Sequence, residues 1–441
     1  MSNEFIINNI ETEEESRRYI IFHDPEALSE LAKVLPNIAG IDIPKTREEA
    51  MLISASEEWQ TNKTYVLPMI GAIVSTAPSE QISRLEIGKR SPIRQIRKEY
   101  IFQVASPAFR SSLVNVSSDY LDGYRAGVNS VVSELLKQER EELETEIQDN
   151  MIFADNSDFT WGLQASGANQ SHHSGNGIRI ALLDTGFDMN HPDFASREIV
   201  SRSFIEGVPT AQDDNGHGTH CLGTLCGPQR PVQGRRYGIA YNAELFVGKV
   251  MKSDGKGIER DILRGIEWAL QNNCRIVSLS LGTAESVGTY PDEDYENMGA
   301  FALAHNCLII AAAGNASARP ERILPVQIPA NSKTIMAIGA INRQLRLYVN
   351  SNGGVNPNGG GIDLVAPGVD VYSSKRLPPS PRYGNSNGTS MATPHVAGIA
   401  ALMMEAAPNA SAEQIWTRLT QSAKRLSLPS MDVGSGLVQA I

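Results

Sequence analysis

From about position 159 onward the chain carries unbroken apolar runs that end in small or polar residues: GIRIALLD, AELFVGKVM, CRIVSLSLG, CLIIAAAGN and TIMAIGAI. Strands buried on both faces of a parallel sheet have this texture, because neither face meets water. Between the runs, Arg260 to Gln271 and Asn297 to His305 read as helices. Alternating strand and helix predicts an α/β domain with a mostly parallel sheet, whose functional residues gather at the carboxyl ends of strands. The Gly- and Asn-rich piece from Asn350 to Gly361 predicts a surface loop.

The first 105 residues have a different pattern, that of a small α+β unit. Arg17 to His23 reads as a strand, and Pro25 then opens a helix through EALSELAKVL. Gly40 to Ile43 and Thr64 to Val74 read as strands, Ser79 as a helix cap with Ile82 and Leu85 on one face, and Lys98 to Ala105 as the closing strand. Leu121, Tyr124, Val128, Val131, Leu135 and Leu136 then recur at three- and four-residue steps into the charged run KQEREELETEIQ. That predicts a long amphipathic helix with a solvated tail, ending near Asp149 and Asn150. The domain layout is thus 1–105, a helical linker 106–155, and an α/β domain 156–441.

Composition changes the picture in one respect. A formal net charge of −11 with no long basic block argues against nucleic-acid or anionic-membrane partners. The N-terminus has no basic start followed by an apolar run, and no stretch is long enough to span a membrane. Cys221, Cys226, Cys274 and Cys307 form no CxxC pair and read as buried free thiols. Together these features predict a cytoplasmic protein, with non-standard secretion as the alternative.

Three segments carry candidate chemistry. Asp184, in ALLDTGFDMNHPDF, ends an apolar run, where a carboxylate can be both buried and aimed. His217 lies between glycines in DDNGHGTHCLGT, so its imidazole can approach other backbone closely. Ser390, in GTSMATPHVAGIAAL, sits at a helix N-terminus, where a developing anion is favoured. A serine hydroxyl needs a base, an imidazole titrates near neutrality, and a carboxylate can hold the other ring nitrogen. Asn315, after the strand in AAAGN, offers an amide donor for an oxyanion.

DTGFDMNHPDF, NGHGTHCLGT, SLSLG, AAAGN, LVAPG and GTSMATPHVAG stand in the order of the subtilase family, which the chain resembles from Trp161 to Ala440. The resemblance implies a three-layer subtilisin-like domain that hydrolyses peptide bonds through an acyl-enzyme and requires no cofactor for chemistry. Asp184, His217 and Ser390 match the triad and Asn315 the oxyanion donor. Ser280, Leu281 and Gly282 match the strand that binds substrate backbone, and Gly314 the specificity-pocket wall. Ile328-Pro329 matches a position where a cis peptide is expected. Counting back from that proline puts Gln327 near the pocket floor. HPDF implies a structural calcium at Asp193, although the partner loop GPQRPVQGRRYG supplies no carboxylate. Asp188, His191 and Asp213 read as scaffold. Cys221 stands where the proteinase K branch also has a thiol.

The N-terminal unit resembles a ferredoxin-like propeptide, which implies an intramolecular inhibitor in front of a protein- or peptide-cleaving site. Its removal is expected between about Asp149 and Thr160. Two other readings share the scaffold: a peptide ligase or macrocyclase using the same acyl-enzyme, and a non-catalytic binding protein.

Overall fold

The structure is a computed structural model, and it describes residues 18–55, 64–85, 91–104, 153–283, 291–356, 359–378 and 381–441. The linker helix expected over 121–150 lies outside the described residues.

The N-terminal unit is a four-stranded antiparallel sheet of β1 (Tyr19–His23), β2 (Thr64–Leu67), β3 (Ala72–Ser75) and β4 (Ile93–Lys98), in the order β2-β3-β1-β4. Helix Leu28–Ala39 turns Leu28, Leu31 and Leu35 inward, where they join Ile21, Val66 and Ile73 in a core of their own. Three expectations change here. Thr64 to Val74 is a hairpin, turned through Pro68 to Gly71, where Gly71 takes a φ of +70°. Gly40 to Ile43 forms no strand; Gly40 instead ends the preceding helix in the left-handed conformation. The fourth strand is Ile93–Lys98, and the segment expected to close the unit leaves it.

That departing segment, β5 (Ile101–Val104), lies between two strands of the α/β domain: β9 (Lys256–Ile258) on one side and β11 (Leu281–Thr283) on the other, antiparallel to both. The α/β domain is built on seven parallel strands: β6 (Arg179–Asp184), β7 (Ile199–Ser203), β8 (Glu244–Lys249), β10 (Ile276–Leu279), β12 (Leu308–Ala312), β13 (Met336–Ile341) and β14 (Leu364–Pro367). Their order is β14-β13-β12-β10-β6-β8-β7. The five apolar runs supply its five inner strands, each buried almost throughout.

Helix Thr389–Ala406 is buried continuously from Thr389 to Met404 and packs on β10, β12, β13 and β14, so an all-apolar helix here is a central one. Helix His217–Cys226 packs beside it and on β6. A two-stranded ribbon, β15 (Val371–Ser374) with β16 (Tyr383–Ser386), covers that helix. Arg260 to Gln271 falls within helix Glu259–Gln271, and Asn297 to Ala304 within helix Glu293–Ala304, which His305 caps. The loop expected at the surface over 350–361 has an anchored start, since Ser351 and Asn352 are fully buried. No helix among the described residues is long and apolar enough to cross a membrane.

Candidate active site

Four chain segments converge at the carboxyl ends of β6, β10 and β12. Asp184 is the last residue of β6 and is 1% exposed. Its Oδ1 accepts the Thr185 N–H at 2.7 Å and lies 2.8 Å from His217 Nδ1. With Asp184 ionised, Nδ1 carries the ring proton and donates it to that oxygen, which leaves Nε2 as an acceptor. His217 Nε2 is buried and takes no hydrogen bond.

A buried carboxylate next to the site places the imidazole. Asp213 accepts the N–H groups of Asn215, Gly216 and Thr219 and the hydroxyls of Thr185 and Thr219. It therefore shapes the turn into the helix that His217 opens. Gly218 completes the fit, because a Cβ there would stand 2.1 Å from the Gly186 carbonyl oxygen. Asp213 is scaffold, as its surroundings in the sequence suggested.

Burial opposes a positive charge on His217, but Asp184 and, behind it, Cys221 outweigh that. Its pKa is raised well above the ordinary 6.5. Cys221 Sγ lies 3.8 Å from His217 Nδ1 and 3.5 Å from the Ser390 carbonyl oxygen. Burial raises the Cys221 thiol, so it is a packed, protonated neighbour of the base. All four cysteines are buried and free.

Ser390 is the second residue of its helix and is fully buried. Its Oγ donates to the Ser280 carbonyl oxygen at 3.2 Å, while Ser280 Oγ donates back to the Ser390 carbonyl at 2.9 Å. Asn315 follows β12, and its side-chain oxygen accepts the Thr389 N–H at 2.9 Å. That bond fixes the amide, so the NH2 is the end that can face a reacting carbonyl. Gly314, at φ +107°, and Gly282 flank the Gln327 side chain. A Cβ on either would meet Gln327 Oε1, at 2.4 and 2.8 Å respectively. The absence of side chains at the two glycines is what leaves room for Gln327. The Ile328–Pro329 peptide is cis, as is Arg319–Pro320.

The arrangement provides a base oriented by a carboxylate, a hydroxyl at a helix N-terminus beside it, and an amide donor. Those parts suffice for acyl transfer.

The model of the "Subtilase family" matches residues 175–436. The chain belongs to the subtilase family. It is 38% identical to subtilisin BL of Lederbergia lenta over 283 residues, which is 64% of this chain and 96% of that protein. It is likewise 38% identical over 283 residues to an alkaline protease of Alkalihalobacillus alcalophilus, 68% of whose length is covered. A thermostable alkaline protease of Halalkalibacterium halodurans matches over 355 residues at 33% identity, covering 78% of this chain and 91% of that one. This subtilase is a serine endopeptidase acting on protein or peptide substrates. One expectation is corrected: the subtilisin relatives are secreted extracellular enzymes, which conflicts with a cytoplasmic placement.

Subtilases need no cofactor for catalysis. The implied calcium does not fit Asp193, whose two carboxylate oxygens already accept the Val232 N–H at 2.8 Å and the Tyr237 hydroxyl at 2.6 Å. A hard cation needs several oxygens, and the facing loop brings a phenol and a backbone donor instead. Asp193 pins that loop. Asp188 and His191 are also held in hydrogen bonds, to Leu377 N–H and the Arg382 carbonyl among others.

Leu281, Gly282 and Thr283 pair with a strand of the chain's own N-terminal part. β5 pairs Val104 with Leu281, Gln103 with Gly282 and Phe102 with Thr283. On the other edge Val104 donates its N–H to the Gly255 carbonyl at 2.8 Å. Phe102 is fully buried against Tyr295, ring centroids 6.1 Å apart. Sequence reasoning missed β9, the second wall of this groove. It is three residues long and contains a glycine, so no alternation marks it.

Proposed function

We propose that Ser390 is the nucleophile, His217 the general base, Asp184 its orienting partner and Asn315 the oxyanion donor of this endopeptidase. The Asp184–His217 contact, with an open Nε2 beside a helix-terminal serine, carries the reading. In the reaction Ser390 Oγ turns from the Ser280 carbonyl toward His217 Nε2 and gives up its proton there. The Oγ–C bond forms as the carbonyl π electrons move to oxygen, where the Asn315 amide and the Ser390 N–H receive the charge. The C–N bond then breaks, and the leaving amine takes the proton from His217. Water, deprotonated by the same base, releases the acyl group and restores Ser390.

The N-terminal unit holds this site shut and is removed by the enzyme itself. β5 lies in the groove as a substrate would, adding a strand between two edges. The expected cut lies between about Asp149 and Thr160. N-terminal sequencing of the wild-type product is expected to find its new start between about Asp149 and Thr160, while Ser390→Ala remains one chain. A wild-type product that is fully active with Met1 or Ser2 intact would refute self-processing.

The raised His217 pKa sets the pH dependence. Only the neutral imidazole accepts the serine proton, so activity is lost as pH falls through the His217 pKa. Among the groups around the ring Asp184 dominates the upward shift, while burial acts the other way. Opening the groove lessens the burial and leaves the sign unchanged. The acid limb of kcat/KM is expected above the ordinary 6.5; a limb at or below that value contradicts the assignment.

A further inference from the structure

Next to the groove, one guanidinium from the N-terminal unit meets three carboxylates of the protease domain. Arg97, on β4, bonds Glu259 in bidentate fashion, at 2.5 and 2.6 Å. Its Nε stands 3.7 Å from Asp292 Oδ2 and 3.8 Å from Asp294 Oδ2. Side-chain exposure is 12% for Arg97 but 0%, 6% and 2% for Glu259, Asp292 and Asp294. Tyr100 stacks on the guanidinium at 3.9 Å and donates its hydroxyl to Asp292 at 3.0 Å.

With the N-terminal unit in place the three acids are buried, beneath Arg97 and Tyr100. Asp294 Oδ2 is buried without a hydrogen bond and faces the Arg97 Nε. Burial and Asp292 push Asp294 up to about 8 even with the guanidinium present. The site thus holds more acid than its resident cation balances. It also adjoins the peptide path directly. The Glu259 N–H donates to the Tyr100 carbonyl at 3.1 Å, and Glu259 Oε2 accepts the Tyr100 N–H at 2.8 Å. The ion pairs found for Glu259, Asp292 and Asp294 are all made with Arg97, from the N-terminal unit.

We propose that Glu259, Asp292 and Asp294 form a cation-recognition subsite of the protease, which selects substrates with an arginine several residues upstream of an aromatic anchor, as Arg97 precedes Phe102. The inference rests on the proposed function above, since it treats β5 as a resident substrate. Arginine suits the site better than lysine because the Glu259 contact is a two-point fork, which a single ammonium cannot reproduce.

The test places the first change in the substrate, where protein folding is not at stake. Quenched-fluorescence peptides with the sequence of residues 93–112 are presented to the full chain as it emerges from expression, alongside versions carrying Arg97→Ala, Arg97→Lys and Arg97→Glu. Arg97→Ala is expected to lower kcat/KM roughly tenfold or more, the scale of losing a charge-assisted hydrogen bond. Lysine is expected to fall between the two, glutamate below alanine, and the spread to narrow with added salt. In Glu259→Gln enzyme the arginine-to-alanine ratio is expected to collapse, which a loss of overall activity alone would not cause. Cleavage of the arginine and alanine peptides within about twofold of each other would overturn this inference and leave the protease reading intact. No cleavage of any peptide, together with no fluorophosphonate label on Ser390, would overturn both.

Discussion

Ser390→Ala is expected to lower kcat by about 10⁶-fold, the size measured on removing the serine of subtilisin and borrowed here for a relative. The structure gives the reason for so large a loss. Cys221 cannot replace the hydroxyl: it lies on the Nδ1 side of His217, 3.8 Å away, and burial raises its thiol. The oxyanion donor and the groove survive the change, so a residual rate above that in water is expected from them alone. Stability should hardly move, because the bond that Ser390 Oγ gives the Ser280 carbonyl, at 3.2 Å, is a neutral one. Hydrolysis of a peptide substrate and uptake of a fluorophosphonate label check the result together. A variant that retains more than about a hundredth of wild-type activity would exclude Ser390 as the nucleophile.

What the sequence revealed and what it concealed follow from different physics. The five inner strands were legible because burial on both faces leaves an unbroken apolar run. The edge strand Ile199–Ser203 was not, since IVSRS is only half-buried and reads as a loop. The triad was legible because each member sits beside glycines or threonines that the close backbone approach demands. The long-range pairings were concealed. KEYIFQVA reads as a strand, but periodicity does not say which sheet it joins. It joins the groove rather than the sheet of its own unit. Arg97 and Glu259 lie far in sequence from each other and from Asp292 and Asp294, and each alone resembles an ordinary surface charge. Glu267 shows the same effect. It is fully buried and pushed up to about 8 by that burial, and it accepts the Met69 N–H at 3.2 Å and the Ser54 hydroxyl at 3.1 Å from the N-terminal unit. These acids make sense only with both units in place.

Asp184→Asn is expected to lower kcat by about 10⁴-fold, the size found for the matching change in another serine protease. Asp184 Oδ1 receives two donors, the Thr185 N–H at 2.7 Å and the His217 ring at 2.8 Å. Because one oxygen receives both donors, an asparagine whose NH2 takes that place turns a donor toward the imidazole and leaves the Thr185 N–H unpaired. Nδ1 must then accept, so the ring proton moves to Nε2, the atom that should take the serine proton. The base faces its substrate in the wrong tautomer. The variant also loses the negative charge that raises His217, so burial prevails and the acid limb of activity is expected to shift to lower pH. That double signature separates orientation from simple misfolding, which would reduce activity without moving the limb. Fluorophosphonate uptake at Ser390 should slow yet still occur, whereas in Ser390→Ala it is absent. If Asp184→Asn retains activity within about tenfold of wild type with an unmoved limb, the carboxylate plays no part in directing His217.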